Sequence, residues 1–360
     1  MKIGIICASM TMGGAERVGV MLANGFATHG HDVSLITDIY LKQTYSVAPQ
    51  VKKIALNPPV KNKILRWLGA IYNIRRYVKR EKPDAIIGIM ALCSFVARIA
   101  CLGTRVPVIM TEHDAYQRIP SEALTKMEVF SKYYLDKIYP QVTILTEADK
   151  IYIGNRLKNI TVMPNPSTFS IFDGKLEKEK IILAAGRLSN WHCKGFDFLI
   201  EAWGEIADKF PEWRLQIAGT GAKEDFDYLK SLAEKYKVSD RIDFLGYRTD
   251  MLELYRKAAI YVLSSRSEGL PMVVIEAMGQ GCACVAVENL GRTKEIIRNE
   301  QEGLLCEMEN PVDLAEKMCR MISDENLRTV IQKNSIERAK YYSLDHIIAL
   351  WENLLSRIVR

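Results

Sequence analysis

Lys2-Ile3-Gly4-Ile5-Ile6-Cys7-Ala8, followed within a few residues by Met12-Gly13-Gly14-Ala15-Glu16-Arg17, sets the reading of the chain. The apolar run is too short for the core of a signal peptide and passes straight into a glycine turn and a helix-like stretch, so it reads as a first strand. Paired glycines let a backbone approach a ligand closely and turn its amides toward an anion. Gly13 and Gly14 are adjacent and no third glycine follows, so this is not the Gly-x-Gly-x-x-Gly of dinucleotide enzymes. A tight strand-to-helix turn explains the pair equally well.

Outward from this start, short apolar runs alternate with longer amphipathic ones, the pattern of strand–helix repeats with parallel sheets. The first series of strands is expected at Lys2–Ala8, Asp32–Thr37, Val51–Leu56, Asp84–Ile89, Val106–Met110, Gln141–Leu145 and Ile160–Met163. Met163-Pro164-Asn165-Pro166 interrupts it, since two prolines so close stop both helix and sheet pairing. A second series follows at Ile181–Ala185, Arg214–Ala218, Ile242–Leu245, Ala259–Leu263, Cys282–Ala286 and Gly303–Cys306. The expected architecture is α/β, with two Rossmann-like domains at 1–166 and 167–340 and a closing helix at 341–360.

Composition agrees with this division. The chain has 360 residues, more than one compact core usually takes. At 48% apolar and 26% charged it is neither disordered nor collagen-like nor a coiled coil. Its longest uncharged apolar stretch, 85–97, stops at Arg98 and is too short to span a bilayer. Eight scattered cysteines without a Cys-x-x-Cys suit a reducing compartment, so a cytoplasmic chain is expected. Up to Asn165 there are 22 basic and 12 acidic residues, a net of +10, whereas the remainder carries 27 and 31, a net of −4. A basic first half points to an anionic partner there.

In open parallel sheets ligands sit at the carboxyl ends of strands, where loops lead into helices. The second series places Gly186-Arg187-Leu188 and Lys194-Gly195 at such a position, then Gly219-Thr220-Gly221 at the next. A guanidinium and a lysine at one sheet edge suit a diphosphate, although either alone is ordinary on a surface. The sharpest segment is Ser267-Glu268-Gly269-Leu270-Pro271-Met272-Val273-Val274-Ile275-Glu276-Ala277-Met278. Pro271 suits the first helical position, which leaves Glu268 in the loop and Glu276 within a short helix. A carboxylate can accept two hydrogen bonds from a vicinal diol, and the amides of Gly269 to Val273 can hold a phosphate.

On these residues the chain resembles the retaining glycosyltransferases of family four, which have the GT-B fold of two Rossmann-like domains facing across a cleft. The matches are Gly13-Gly14-Ala15-Glu16-Arg17, Glu112-His113, Gly186-Arg187-Leu188 with Lys194-Gly195, and Glu268 through Glu276. Gly291 to Ile297 and the stretch from Tyr341 to Trp351 agree as well. The resemblance implies that Arg187 and Lys194 neutralise the donor diphosphate and that Glu276 binds the nucleotide ribose. Glu268 then contacts the donor sugar or phosphate, and His113 lies at the junction of donor and acceptor. Gly13, Gly14, Gly186, Gly219, Gly269, Leu270, Met272 and Val273 complete the expected donor site. The final helix in that family crosses back to the first domain. Two departures stand out: Trp191-His192-Cys193 lengthens the gap before Lys194, and Cys282-Ala283-Cys284-Val285 replaces an aliphatic–Pro–Val run and reads as core packing.

Asp225-Phe226-Asp227 has the spelling of a metal-holding Asp-x-Asp, but it falls in the first turn of a helix, where the dipole favours acids anyway. No catalytic metal and no cofactor are expected. The segment 61–82 carries a net of +7, with Arg75, Arg76, Lys79 and Arg80 as its expected contacts to an acceptor or a membrane. Ile64, Trp67, Leu68, Ile71, Ile74 and Val78 form an apolar stripe expected to pack. Nucleic acid is not expected, since no recognition motif accompanies the charge. The resulting expectation is a retaining transferase of a hexose or N-acetylhexosamine from a UDP-linked donor. Its acceptor would be a glycan on a polyprenyl diphosphate, and the protein would lie peripherally on the inner membrane face. The rival readings are a catalytically silent nucleotide-sugar-binding or membrane-adaptor module and a GT-B epimerase. An NAD-dependent oxidoreductase is weakest.

Overall fold

The structure, a computed structural model, describes residues 1–11 and 13–359. Met12, which opens the glycine motif, and Arg360, the last position of the closing segment, lie outside the described residues. The chain divides into two compact units, Met1–Pro166 with Leu344–Arg360, and Ser167–Ser343.

The first unit is built on a sheet of β1 (Lys2–Ile6), β2 (Asp32–Thr37), β3 (Lys52–Ala55), β4 (Ala85–Ile89), β5 (Val108–Thr111), β6 (Gln141–Ile144) and β7 (Ile160–Val162). Its order is β3-β2-β1-β4-β5-β6-β7, and every pair runs parallel. The second unit holds β8 (Glu179–Ala185), β9 (Arg214–Ala218), β10 (Ile242–Gly246), β11 (Ala258–Leu263), β12 (Ala283–Val287) and β13 (Gly303–Cys306), in the order β10-β9-β8-β11-β12-β13. Each strand read from the sequence has a counterpart here, and the α/β architecture with two parallel sheets is the one expected. In both sheets the order reverses at the first strand: β1 lies between β2 and β4, and β8 between β9 and β11.

Parallel sheets are covered on both faces, which is why their strands read as continuous apolar runs. Side chains alternate along a strand. In β1, Ile3 and Ile5 join Leu22 and Phe26 on one face, while Ile6 joins Ile74, Val78 and Ala97 on the other. The helix Gly14–Thr28 therefore covers one side, and the helices Lys63–Glu81 and Met90–Ala100 cover the opposite one. In the second unit the helix Phe196–Ile206 presses Leu199 and Trp203 onto Ile182 and Ala184 of β8.

The helix Leu344–Ile358 belongs to the first unit, where Ile347, Ile348, Trp351, Leu354 and Leu355 enter the core beside Leu22 and Phe26. Gly25 permits the close approach, because a Cβ there would lie 2.7 Å from Ile348 Cγ1. His31 Nε2 meets Glu352 Oε1 at 2.8 Å beside this contact.

The basic helix Lys63–Glu81 corrects two expectations. Asn62 caps its start, accepting from the amides of Ile64 and Leu65 at 2.9 and 3.1 Å. The apolar stripe packs only in part: Ile74 and Val78 are buried and Trp67 lies against Phe95, while Ile64 and Leu68 stand 71% and 56% exposed. Arg75 is not a free surface cation, because its Nη1 donates to the carbonyls of Ala100, at 2.9 Å, and Leu102. It satisfies carbonyls that the end of the neighbouring helix leaves open. Arg76, Lys79 and Arg80 do face outward, Arg80 beside Glu81 at 2.7 Å. Among the described residues no helix is long and apolar enough to cross a membrane.

Trp351 is 2% exposed, so Trp351→Ala should lower the stability of the first unit by about 3–5 kcal/mol. Urea unfolding followed by circular dichroism checks this, and an unchanged first-unit transition would contradict the packing described.

Candidate functional site

The carboxyl ends of β8 and β11, where the second sheet reverses order, carry the charged groups singled out in the sequence. Arg187 follows β8 in extended backbone conformation and is exposed, and its guanidinium has no side-chain partner among the described residues. Lys194 closes the short helix Trp191–Lys194, and its Nζ lies 2.7 Å from Glu268 Oε1. Burial works against the lysine charge, but the Glu268 carboxylate more than offsets it and holds Lys194 above the ordinary lysine pKa. Lys194 therefore stays a cation at any physiological pH.

Glycines let these loops close on one another. Gly195 has φ +63°, and a Cβ there would lie 1.9 Å from the carbonyl oxygen of Ser264. A Cβ on Gly219 would lie 1.8 Å from the carbonyl oxygen of Gly186, so the loops after β8 and β9 touch through bare backbone. Arg266, in the loop after β11, binds Asp197 through two bonds of 2.8 Å, reaches Glu309 at 3.1 Å and lies 3.9 Å over the Phe198 ring. Its amide also donates to Cys193 O at 2.7 Å, which ties the Glu268 loop to the Lys194 loop.

The helix after this loop spans Met272–Gly279, with Pro271 at the capping position, one residue earlier than expected. Glu268 and Gly269 are partly exposed at its mouth, as are Met272 and Val273, whereas Leu270 is buried. Glu276 is only 3% exposed. Its Oε1 accepts from Thr168 Oγ1 at 2.5 Å and its Oε2 from Tyr255 OH at 3.0 Å. A carboxylate has about four acceptor positions, and these two bonds take one on each oxygen.

In the first unit Gly13 caps the helix Gly14–Thr28, and its carbonyl accepts from Tyr45 OH at 3.0 Å. His113 follows β5. Thr111 directs its hydroxyl proton to Gly88 O at 3.0 Å, so its oxygen accepts from His113 Nε2, also at 3.0 Å. That assignment leaves Nδ1 as a buried lone pair with no partner of hydrogen-bond geometry among the described residues. Burial lowers the His113 pKa to about 4, with Asp114 and Asn165 opposing, so the ring is neutral at physiological pH.

Glu112 holds this loop. Its Oε1 accepts from the amides of His113 and Asp114 at 3.0 and 3.1 Å, and its Oε2 meets Lys132 Nζ at 2.5 Å. Lys132 lies 4.3 Å over the Tyr116 ring, and Tyr116 OH donates to Asp136 Oδ2 at 2.7 Å. Sequence reasoning assigned no role to Lys132, Asp136 or Arg266. Lys132 follows Glu112 by 20 residues on a separate helix, and no local pattern announces such a partnership. Asp225 Oδ2 accepts from the amide of Ala222 at 2.7 Å and so closes the start of the helix Lys223–Lys235.

Burial raises the Asp136 pKa to about 7, against the Tyr116 hydrogen bond and with help from the Glu112 charge. Because the folded value lies above the unfolded one, folding binds a proton between about pH 4 and 7, and stability falls as pH rises through that window. Asp136→Asn keeps an acceptor for Tyr116 without the charge. It should flatten this dependence and raise the melting temperature relative to the parent at pH 8 more than at pH 5. Thermal unfolding at the two pH values checks this, and parallel curves would contradict it.

Comparison with known proteins bears on both units. A family model described as glycosyl transferases group 1 matches residues 168–338, and one described as glycosyltransferase family 4 matches residues 12–166. An uncharacterized glycosyltransferase of Haemophilus influenzae is 29% identical over 359 residues, covering 98% of this chain and 99% of its own length. A Campylobacter jejuni enzyme is 29% identical over 372 residues, covering 99% of each chain. It is named as the alpha-1,4-N-acetyl-D-galactosaminyltransferase for GalNAc-alpha-(1->4)-GalNAc-alpha-(1->3)-diNAcBac-PP-undecaprenol. Among solved structures, sucrose-phosphate synthase from Thermosynechococcus elongatus superposes with a TM-score of 0.81 at 18% identity, covering 99% of this chain and 98% of its own. Anabaena HepE in complex with UDP gives 0.79 at 19% identity, covering 99% and 100%. With both units matched in this way and the two-sheet architecture shared at full length, the chain belongs to the family-four glycosyltransferases of GT-B fold.

Proposed function

We propose that the protein is a retaining glycosyltransferase that moves a hexose or N-acetylhexosamine from a UDP-linked donor to a glycan carried on a polyprenyl diphosphate. The carrying observation is the pair Lys194–Glu268 beside the unpaired Arg187, at the place where the second sheet reverses order. A diphosphate leaving group needs fixed positive charge that strengthens as its bond to the sugar breaks. Arg187 and Lys194 supply it, and Glu268 keeps the lysine in place. In this reading the bond from sugar C1 to the diphosphate oxygen breaks while the acceptor oxygen bonds to C1 on the same face. The acceptor proton passes to the departing diphosphate. Glu276 takes the ribose diol. Charge on the diphosphate is met by these side chains, so the reaction proceeds without a metal, and activity should persist in EDTA. The acceptor class is supported by the names of the Campylobacter relatives, which specify undecaprenol diphosphate-linked sugars, and the donor class by the HepE complex with UDP.

The basic helix is proposed as the membrane-facing element. Ile64, Leu65 and Leu68 stand exposed beside Lys61 and Lys63, and Arg76 and Lys79 extend the charge along the helix. Exposed apolar groups flanked by cations are what an anionic lipid surface takes up. The protein would then work from the membrane's cytoplasmic face.

Turnover of radiolabelled UDP-sugars with a polyprenyl diphosphate-linked acceptor tests the function. Donor binding without transfer to any acceptor would favour a silent binding module instead. Arg187→Ala should leave the fold intact and lower turnover about a hundredfold or more. Near-normal turnover in that variant would remove Arg187 from the site. Replacing Arg76 and Lys79 by Glu should release the protein from phosphatidylglycerol vesicles in a salt-sensitive way, since each charge near such a surface contributes about 1 kcal/mol. Sedimentation with vesicles reads this, and retention of the variant would count against the membrane role.

A further inference from the structure

A cavity of about 520 Å³ opens in the first unit beside Tyr116, the partner of Asp136, and is lined by neither Glu112 nor His113. Tyr116, Tyr133, Tyr134 and Tyr152 line it, together with the loop after β5 and the ends of two short helices. Its size is that of a small-ligand pocket. Three cations line it as well, Arg118, Lys137 and Arg156, and among the described residues no carboxylate does.

These groups are not equally engaged. Arg118 is paired with Glu128 at 3.2 Å. Arg156 lies 4.6 Å from the Tyr133 ring centre and 4.8 Å from that of Tyr152. Its Nε donates to Ile153 O at 2.9 Å and its Nη2 to Tyr152 O, which leaves Nη1 without a partner among the described residues. Lys137 has no acidic partner there and sits 5.4 Å over the Tyr134 ring. The hydroxyl of Tyr133 is buried and has no hydrogen-bond partner among the described residues. A folded protein rarely leaves such a group unmet unless something else meets it.

The rings already have company on a face. Lys132 covers Tyr116, Arg156 covers Tyr133 and Tyr152, and Phe130 stacks on Tyr134 with centres 5.7 Å apart. That arrangement is poorly suited to sandwiching a flat nucleobase. What remains on offer is a phenol hydroxyl, two unneutralised cations and apolar ring edges. This set matches a ring bearing many hydroxyls and one negative charge.

We propose that this cavity is a second ligand site, for a pyranose that carries a carboxylate or a phosphate. The anion meets Arg156 Nη1 and Lys137 Nζ, and a ring hydroxyl pairs with the Tyr133 hydroxyl. Such a sugar can come from two sources, a uronate unit of a glycan chain or a free hexose phosphate.

Saturation-transfer NMR and calorimetry on the full chain test this with methyl glucuronide, glucose 1-phosphate and neutral methyl glucoside. At least one anionic sugar should bind about tenfold or more tightly than the glucoside, the ratio expected from one charge-assisted contact. Glucuronide alone identifies the glycan source, glucose 1-phosphate alone the free metabolite, and binding of both the shared chemistry. Arg156→Met should weaken the anionic sugar about tenfold, and Tyr133→Phe, which removes only a hydroxyl, about threefold or more. Thermal unfolding verifies the folding of each variant. Should Arg156→Met fail to fold, Tyr133→Phe decides alone. Equal binding of the neutral glucoside overturns the proposal, as does no binding of either anionic sugar at millimolar concentration. Binding that survives both cavity variants but disappears in Arg187→Ala belongs to the site in the second unit and also overturns it.

Discussion

A parallel strand can be followed by another only if the chain climbs back over a face of the sheet and starts again from the same end. Everything else in the two units follows from that return path. Helices must lie on both faces, so the strands must be apolar on both sides. All the turns leading out of strands gather along one edge of each sheet. At the single place where the strand order reverses, two neighbouring turns diverge toward opposite faces and leave a gap. In the second unit the gap lies at the ends of β8 and β11, and Arg187, Lys194 and Glu268 stand around it. Chain geometry places the charges there, and the charges decide what chemistry is possible.

Charges at such an edge hold position only when their surroundings fix them. Glu268 holds Lys194, and Arg266, 7% exposed, ties the backbone of the two loops together through Asp197, Cys193 and Phe198. The first unit repeats the scheme with other residues: Glu112, in contact with buried Lys132, accepts the amides of His113 and Asp114. Ion pairs removed from water in this way add little net stability. They are costly to break, because one partner would be left buried and unpaired. Their contribution here is orientation.

The parts of the molecule legible in the sequence are those where burial imposes a local pattern. β12 is buried throughout and is written Ala283-Cys284-Val285-Ala286-Val287, and the cysteines read as core packing are indeed buried. Glu268 was legible because it sits in a loop of recognisable composition, and Lys194 because a glycine follows it at the end of a short helix. Their contact is a tertiary fact, and so are the contact of Lys132 with Glu112 and the capture of Arg75 by two carbonyls. Periodicity marks which face of a helix is apolar, but it cannot say whether anything covers that face. The stripe on Lys63–Glu81 shows this, packed at Ile74 and bare at Ile64. Glu276 shows a similar limit: its position in a short helix was clear, but not that Thr168 and Tyr255 already occupy its oxygens.

The helix Leu344–Ile358 has a consequence for how the protein comes into being. It completes the core of the first unit, yet it is encoded after the whole of the second. On a ribosome, domains tend to fold as units in order of emergence. Here the first sheet is synthesised early but must wait with Leu22 and Phe26 uncovered until the entire second unit has been made. The second unit is continuous in the chain and needs no later segment, so it can reach its final core before the first one does. Order of synthesis and order of completion are thus reversed, and the interval between them is when the nascent chain most needs protection from aggregation.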